Sequence, residues 1–348
     1  MAQDDFAIVV GIDDYEGFEP LEGAKNDAAA FRDWLVDKDG GDVPPGNIEY
    51  IAGSVAGSLY EPGTDILYKA FRPLVKKAVA IGGGRTGRRF YGFFAGHGFS
   101  DPNNMDSNAL YTANAVPEVT PHVAATRCVE WFRRNSAFDE VVLIMDCCRS
   151  LSSLTAVVDP PFIQSRNTNR AAAVRRFYAC ATQWGYDSRE VVVAGGVPRG
   201  VFTSALLEVL KKIPGNGDNA VMGQAVKNEI HTYMKRVAPD APPFEIVVDS
   251  NADICLLVRP APDAAPAPAP PAAPAAVFLA DVHITLDPFQ PGAKLRVTNG
   301  AGKIVEDREL QVSSVVLPLE PGLYKAEVAG TDRKKLIEVV GSAVQYSL

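Results

Sequence analysis

Runs of residues that are apolar at nearly every position alternate with helical segments along the chain before residue 258. Such strands are buried on both faces, so they belong in a parallel sheet with helices packed on each side. The predicted strands are residues 6–12, 47–53, 88–96, 138–146, 175–181 and one near 244–258. The predicted helices are residues 26–37, with Asn26 as cap, 65–80, 120–135, 200–213 and 220–237. We therefore predict an α/β fold on a mostly parallel sheet.

A tract of alanine and proline at residues 258–277 divides the chain. Its composition cannot form a packed core and is typical of an extended, semi-rigid spacer. We predict a large α/β domain at 1–258, a linker at 259–276 and a small domain at 277–348. The last part alternates in polarity and turns at Asn-Gly and Pro-Gly, which predicts an antiparallel β-sandwich. With "LPLEPGLYKAEV" it resembles small bacterial immunoglobulin-like modules.

Charge and cysteine usage narrow the class of protein. A net charge of -8 argues against a nucleic-acid partner. No apolar run is long enough for a membrane span, and the first residues carry acids where a secretory signal carries Lys or Arg. Five cysteines without Cys-x-x-Cys spacing favour a reducing compartment over disulfides or a zinc site. We expect a cytoplasmic protein with no metal site.

Two adjacent cysteines in "VVLIMDCCRS" raise the question of a nucleophile. A reactive thiolate needs a base nearby, and His97 follows an apolar strand between two glycines. Ligands bind at the carboxyl ends of strands in such sheets, so His97 and Cys148 meet if their strands are neighbours. Because side chains alternate along a strand, Cys148 shares a face with Asp146 while Cys147 points into the helical layer.

Cys128, Cys180 and Cys255 are expected to be core residues, which is the usual role of a free cysteine. His283 lies on an alternating strand and is expected to be structural, while His122 and His231 lie in predicted helices.

Three segments of the sequence resemble a known protein family. "FFAGHG", "LIMDCCRS" and "AIVVGIDDYEGFEPLEGAKNDAAAF" resemble the caspase-like cysteine peptidases, especially bacterial metacaspase and orthocaspase relatives. The resemblance covers about residues 6–258 and implies a caspase–haemoglobinase fold. It also implies a catalytic dyad of His97 and Cys148, with an oxyanion hole from the backbone N–H groups of Gly98 and Cys148.

The resemblance also implies a substrate pocket. In metacaspases, the acids matching Asp27 and Asp146 line an S1 pocket for Arg or Lys, and Asp187 is a weaker third candidate. The alternatives are that Asp27 is a first-turn acid on its own helix dipole and that Asp146 is a strand-end acid in solvent.

Three positions depart from the metacaspase pattern. Ala24 and Ala95 stand where many members have a Cys and a Ser, and Arg149 replaces a common His. The acids that bind calcium in some members are not clearly matched. No cofactor is therefore expected to be required, and calcium dependence is left open.

A long polar segment follows the nucleophile, from Ser150 to Arg176. It lies where caspase relatives are cut between their large and small parts. Self-cleavage is predicted at one of four arginines, and a flexible surface loop is an equally good interpretation. The candidates are Arg166, Arg170, Arg175 and Arg176.

The sequence therefore predicts a cysteine endopeptidase that cuts protein substrates after Arg or Lys, in a bacterial regulatory or defence pathway. The β domain is expected to bind or position a protein partner or activator. The alternative from another class is a catalytically silent caspase-like scaffold that acts through its β domain. Cleavage after Asp would need a basic S1 pocket, and Asp27 and Asp146 argue against it.

Overall fold

The computed structural model describes residues 3–56, 59–81, 85–151, 156–163, 170–193, 195–249, 253–259, 279–339 and 344–348. The chain divides into two compact units, Met1–Asp263 and Ala264–Leu348. Most of the Ala/Pro tract lies outside the described residues.

The first unit contains both helices and strands. Its helices are α1 (Ala24–Val36), α2 (Thr64–Ala80), α3 (Ala125–Arg134), α4 (Val201–Lys212) and α5 (Gly223–Val237). Its strands are β1 (Asp5–Gly11), β2 (Ile48–Ala52), β3 (Ser54–Ala56), β4 (Leu59–Glu61), β5 (Gly87–Gly96), β6 (Gly98–Asp101), β7 (Asn104–Tyr111), β8 (His122–Val123), β9 (Phe138–Cys147), β10 (Ser150–Leu151), β11 (Arg175–Cys180), β12 (Glu190–Val193), β13 (Val197–Gly200), β14 (Ala220–Met222), β15 (Glu245–Val248) and β16 (Cys255–Val258). None of the described helices is long and apolar enough to cross a bilayer.

A six-stranded sheet forms the centre of this unit, in the order β15-β11-β9-β5-β1-β2. Every neighbouring pair is parallel except β11 and β15. The predicted mostly parallel sheet is confirmed, and β5 and β9 are direct neighbours within it.

Helices cover both faces of the sheet. One core contains apolar side chains of α2 and α3, and the other contains those of α1, α4 and α5. Strand β9 sends Leu143, Met145 and Cys147 into the first core, and Val142 and Ile144 into the second. This alternation is the reason that the residues at its end separate onto opposite faces.

A second sheet, in the order β10-β6-β7-β8, was not predicted. It extends from the carboxyl edge of the main sheet, where β6 continues the chain from β5. Three small two-stranded sheets, β3-β4, β12-β13 and β14-β16, were also missed. Strands of two to four residues carry too little periodicity to be recognised in a sequence. The eight-residue β7 begins with exposed, mostly polar residues and has no long apolar run, so its sequence did not identify it either.

Helix α1 begins at Ala24, so the prediction that Asn26 caps it is wrong. The amide of Asn26 instead donates to the carbonyls of Glu22 and Pro198. The N–H of Lys25, in the first turn of α1, donates to Asp13 Oδ1 at 3.0 Å. A carboxylate from the preceding loop therefore accepts a hydrogen bond from a backbone N–H that has no acceptor within the helix.

Three further boundaries differ from the prediction. Residues 220–222, predicted as the start of the last helix, form β14, and α5 begins at Gly223. Helix α3 begins at Ala125, because His122 and Val123 form β8 and pair with β7. The single last strand near 244–258 is two strands: β15 extends the main sheet, and β16 pairs with β14.

The second unit consists of two sheets around one apolar core, as the predicted sandwich requires. Its strands are β17 (Ala280–Thr285), β18 (Ala293–Asn299), β19 (Ile304–Leu310), β20 (Ser314–Leu319), β21 (Gly322–Val328), β22 (Lys334–Val339) and β23 (Val344–Ser347). The orders are β20-β17-β23 and β19-β18-β21-β22. All pairs are antiparallel except β17 and β23, which run parallel.

Candidate active site

His97 stands where β5 ends and β6 begins, at the carboxyl edge of the main sheet. The preceding Gly96 has a φ of +147°, and a Cβ there would collide with the Tyr15 hydroxyl. Glycine is therefore required at the turn that carries the histidine. The N–H of His97 donates to the Tyr15 hydroxyl oxygen at 2.8 Å, which fixes the backbone of the turn.

A backbone carbonyl fixes the imidazole of His97. The ring atom Nε2 lies 2.8 Å from the carbonyl oxygen of Glu19. Because a carbonyl only accepts hydrogen bonds, Nε2 carries the ring proton, and Nδ1 is the basic atom of the neutral ring. Sequence reasoning missed Glu19, since the carbonyl of a loop residue leaves no mark in the side-chain pattern.

Cys148 follows β9 directly. The register pairs Gly96 with Cys147, so His97 and Cys148 leave neighbouring strands at the same edge. Cys147 is 1% exposed and packs beneath Gly98, where an added Cβ would stand 2.7 Å from the Cys147 sulfur. The structure therefore places Cys147 in the core and Cys148 in the pocket that His97 also lines.

The Cys148 thiol contacts the loop that follows β11. The N–H of Ser188 donates to Sγ at 3.4 Å, and Ser188 Oγ lies 3.9 Å from it. Burial raises the pKa of this thiol; the Ser188 N–H opposes the rise, and the Asp187 carboxylate adds to it. No hydrogen bond between described side chains joins Cys148 to His97. The raised pKa favours the neutral thiol in this arrangement.

Asp27 and Asp146 converge on the beginning of α4. The N–H of Gly200 donates to Asp27 Oδ2 at 2.7 Å, and the N–H and hydroxyl of Thr203 donate to Asp146 Oδ2 at 3.0 and 2.6 Å. Asp27 does lie in the first turn of α1, but its carboxylate binds the end of another helix. The alternative of a solvent-exposed Asp146 is wrong, since this residue is 6% exposed. The positive end of the α4 dipole stabilises negative charge on these two carboxylates.

The pKa values of both acids are raised. Burial raises the pKa of Asp27 to about 9; Asp146 adds to the rise, and Gly200 and Arg199 oppose it. Burial raises the pKa of Asp146 to about 6, against the hydrogen bonds from Thr203. Asp27 Oδ1 is buried and has no hydrogen-bond partner among the described residues. Such an atom is costly to leave unpaired, and a guanidinium in the pocket would give it a hydrogen-bond donor once Asp27 is ionised.

Glu190, at the start of β12, is a third carboxylate of this pocket that sequence reasoning missed. Its oxygens accept the N–H groups of Glu22 at 3.2 Å and Gly23 at 2.8 Å, so it serves the amino end of α1 from another element. Its charge contributes to the raised pKa of both Asp27 and Asp146. The short β12-β13 hairpin brings Glu190 close to Asp27 and Asp146, and no pattern in the sequence predicts this hairpin.

These groups share one cavity of about 540 Å³. Its lining comprises Phe18, Leu21, Ala24, Asp27, Gly96, His97, Gly98, Tyr111, Asp146, Cys148, Ser150, Asp187, Ser188, Arg189, Glu190 and Gly200. A larger cavity of about 730 Å³ lies against α3 and contains neither His97 nor Cys148.

Gly98 begins β6 beside the nucleophile. A Cβ there would stand 2.7 Å from the carbonyl oxygen of Ala109, so a glycine is required for β6 to approach β7. Gly98 and Cys148 line the same cavity, and their backbone N–H groups are the expected oxyanion donors.

Arg149, the residue after the nucleophile, is held in place by hydrogen bonds of its own side chain. It is 2% exposed, and its guanidinium reaches three elements around the end of β9. Its acceptors are the hydroxyl of Ser100, the amide oxygen of Asn108, the carbonyls of Met105 and Thr182, and the carboxylate of Glu245. The departure from the metacaspase pattern at this position therefore has a structural role.

The four candidate cleavage sites fall in different surroundings. Arg166 lies outside the described residues, and Arg170 is exposed just before a short 3₁₀ turn. Arg175 and Arg176 lie in β11 and pair with Glu140 and Asp249. The prediction that the loop extends to Arg176 is therefore wrong, because β11 begins at Arg175.

Among the described residues, no group of three or more His, Cys, Asp or Glu side chains is placed to hold a metal ion. Calcium dependence gains no support from these side chains.

Comparison with known proteins identifies the family. Residues 4–239, more than half of the chain, match the sequence profile of the caspase domain, a peptidase family. The chain belongs to the caspase domain family. Membership supports a cysteine peptidase as its general activity, and the caspase-like fold expected from the sequence is the fold of this unit.

Individual relatives are distant from this caspase domain. A protein described as a probable protease from a Desulfuromonadales bacterium is 27% identical over 224 residues, which is 59% of this chain and 26% of that protein. The chain thus spans about a quarter of that relative. Protein GSU0716 from Geobacter sulfurreducens gives a TM-score of 0.45 at 17% identity, covering 74% of this chain and 98% of that one. Caspase-1 from Spodoptera frugiperda gives 0.45 at 13%, covering 71% and 88%. These scores are too low to add to the family assignment.

Proposed function

We propose that the protein is a cysteine endopeptidase that cuts protein substrates after Arg, with Lys second. The observation that carries the proposal is the buried Asp27 Oδ1, which has no hydrogen-bond partner in the described part of the chain and lies in the cavity that also holds His97 and Cys148. A guanidinium can bind two carboxylates through paired N–H donors, whereas an ammonium meets them as a point charge. Asp146 and Glu190 add negative charge to the same cavity, which disfavours an acidic P1 residue.

Catalysis proceeds through a covalent intermediate. His97 Nδ1 takes the proton of Cys148, and the thiolate attacks the carbonyl carbon of the scissile bond. The N–H groups of Gly98 and Cys148 stabilise the oxyanion. The imidazolium then gives its proton to the leaving amine, a thioester with Cys148 remains, and water hydrolyses it with His97 as base.

Binding of the P1 arginine is coupled to proton release. Asp27 and Asp146 hold a proton in the free enzyme, because the pKa of Asp27 is raised to about 9. A guanidinium in the pocket favours ionisation of both acids, so the proton is released to solvent. Productive binding therefore strengthens as the pH rises towards 9.

Self-processing is part of the proposal. Arg170 is the described candidate that supports it, since it is exposed and precedes β11. Intact-mass analysis should show cleavage after Arg166 or Arg170 in the wild type and none in Cys148→Ala. An active wild-type sample that stays a single uncut chain would contradict this part. The cytoplasmic location, the bacterial regulatory or defence pathway and a protein partner of the β domain stay predictions.

The proposed function is tested with fluorogenic peptides that differ only at P1. We expect kcat/KM to be highest for Arg, lower for Lys and near background for Asp. Cys148→Ala should remove hydrolysis, while Cys147→Ala, with its sulfur outside the cavity, should retain most of it. No hydrolysis of any peptide would instead favour the catalytically silent scaffold.

A further inference from the structure

The side of the cavity around His97 is apolar, in contrast to the side around the acids. The ring of Phe18 lies 5.7 Å from the His97 ring and stacks on Tyr111 at 5.1 Å, with 26° between the planes. Phe18 is half-buried, and both aromatic residues line the cavity together with Leu21. Tyr111 is held from behind by Phe99, with ring centroids 4.7 Å apart. These aromatic rings therefore form an apolar wall of the cavity next to His97.

The chemistry of peptide cleavage determines what occupies that space. The imidazole that protonates the leaving amine must lie against the nitrogen of the scissile bond. The residue carried on that nitrogen is P1′, so its side chain contacts the groups that surround the His97 ring inside the cavity. Tyr15 also contacts the ring, but it is 5% exposed and does not line the cavity. Phe18 contacts the His97 ring and lines the cavity, so a substrate can reach it.

The charges of the cavity add a second constraint. Four carboxylates line it, those of Asp27, Asp146, Asp187 and Glu190, against the cations Arg189 and, when protonated, His97. An acidic P1′ side chain would enter a negative field and leave water for an apolar wall. A large apolar side chain would bury its surface on Phe18 without any unpaired polar group.

We propose that Phe18, with Leu21 and Tyr111, forms an apolar S1′ subsite, so that the substrates carry a basic residue followed by a large apolar one. This inference rests on the proposed function and adds a preference at P1′ to the preference at P1. A pocket that accommodates a few methylene groups discriminates by tenfold or more. We therefore expect Leu or Phe at P1′ to raise kcat/KM about tenfold over Gly, with Glu below Gly.

The test uses internally quenched peptides with Arg at P1 and Leu, Phe, Gly or Glu at P1′, in an otherwise identical sequence. Mass spectrometry confirms the cleaved bond, and kcat and KM are measured for each peptide. In Phe18→Ala the Leu-to-Gly ratio should fall towards one, and in Phe18→Leu most of it should return. Leu59→Ala is the matched control, because Leu59 is an exposed apolar side chain on β4 that does not line the cavity.

The wild-type series can overturn the inference by itself, whether or not the variants fold. Cleavage after Arg with equal rates for all four P1′ residues, or with Gly or Glu preferred, would overturn the subsite and leave the proposed function standing. A Leu preference that survives in Phe18→Ala would also overturn it. Failure to cut any of the peptides would overturn the proposed function and the subsite together.

Discussion

The Cys148 thiol is held neutral by one neighbouring acid and the burial of its own sulfur. Burial raises its pKa, and the Asp187 carboxylate raises it further. Asp187, predicted as a weak S1 candidate, lines the cavity and also acts on the nucleophile. Its charge therefore opposes formation of the thiolate in the arrangement described above.

Asp187→Asn should make Cys148 more reactive. Removing the carboxylate lowers the pKa of the thiol, so a larger fraction is ionised at pH 7–8, and alkylation by iodoacetamide should accelerate several-fold. The rate is measured against pH, with peptide mapping to identify Cys148 as the modified residue. Asp218→Asn, on the turn before β14, is the control. An unchanged or slower rate in Asp187→Asn would show that the carboxylate does not act on the thiol.

Asp27 should make the stability of the fold depend on pH. Its pKa rises from 3.8 to about 9, so between these values the folded state keeps a proton that the unfolded state loses. The free energy of unfolding then falls as the pH rises, by at most about 1.4 kcal/mol per pH unit for one proton. Asp27→Asn removes this dependence.

The stability of Asp27→Asn relative to the wild type should therefore increase by at least about 1 kcal/mol between pH 5 and pH 8. Urea unfolding at several pH values measures it, with Asp218→Asn as an exposed control. A difference that does not change with pH would mean that Asp27 is ionised in the folded protein throughout this range.

At the scale of elements, the junction of β13 and α4 closes the acidic pocket. Gly200 lies at this junction, and a Cβ there would stand 2.7 Å from Asp27 Oδ2 and closer still to Asp146 Oδ2. These side chains are buried, so neither can move away without losing its hydrogen bonds to α4. Sequence reasoning did not single out Gly200, because its constraint comes from two distant parts of the chain.

Gly200→Ala should damage both the fold and the pocket. The extra methyl group should lower the free energy of unfolding by about 1–3 kcal/mol and kcat/KM for Arg peptides by at least about tenfold. Gly217→Ala is the matched control, since a Cβ there meets no atom within 4 Å. Chemical unfolding and the peptide assay measure the two effects. Wild-type values for Gly200→Ala would mean that the pocket is looser than the structure describes.

The long elements were predictable except for the eight-residue β7, whose first half is mostly polar and exposed, and the short ones were not. Strands β5 and β9 have ten residues each, nearly all buried, so their apolar runs identify them and place His97 and Cys148 at one edge. The two-residue β8 and β10 exist only because longer strands offer them pairing partners. The end of α1 was misjudged for a similar reason, since Asp13 and Glu190 supply acceptors from outside the helix.

At the scale of the whole molecule, every candidate catalytic and pocket residue lies in the unit Met1–Asp263. The unit Ala264–Leu348 has its own apolar core. A chain ending at Asp263 should therefore fold and retain most of its kcat/KM on short Arg peptides. Circular dichroism and the peptide assay check this, with the full chain as reference. A folded but inactive shortened chain would show that the β-sandwich takes part in catalysis.

The central claim is that Cys148 attacks substrates whose P1 arginine binds Asp27 and Asp146. Its most direct test is covalent labelling of the full chain with matched peptidyl acyloxymethyl ketones ending in Arg or Asp, followed by peptide mapping. We expect one adduct per chain, on Cys148, formed much faster with the Arg probe and slowed by Asp27→Asn. An adduct on Cys147, or faster labelling by the Asp probe, would contradict it.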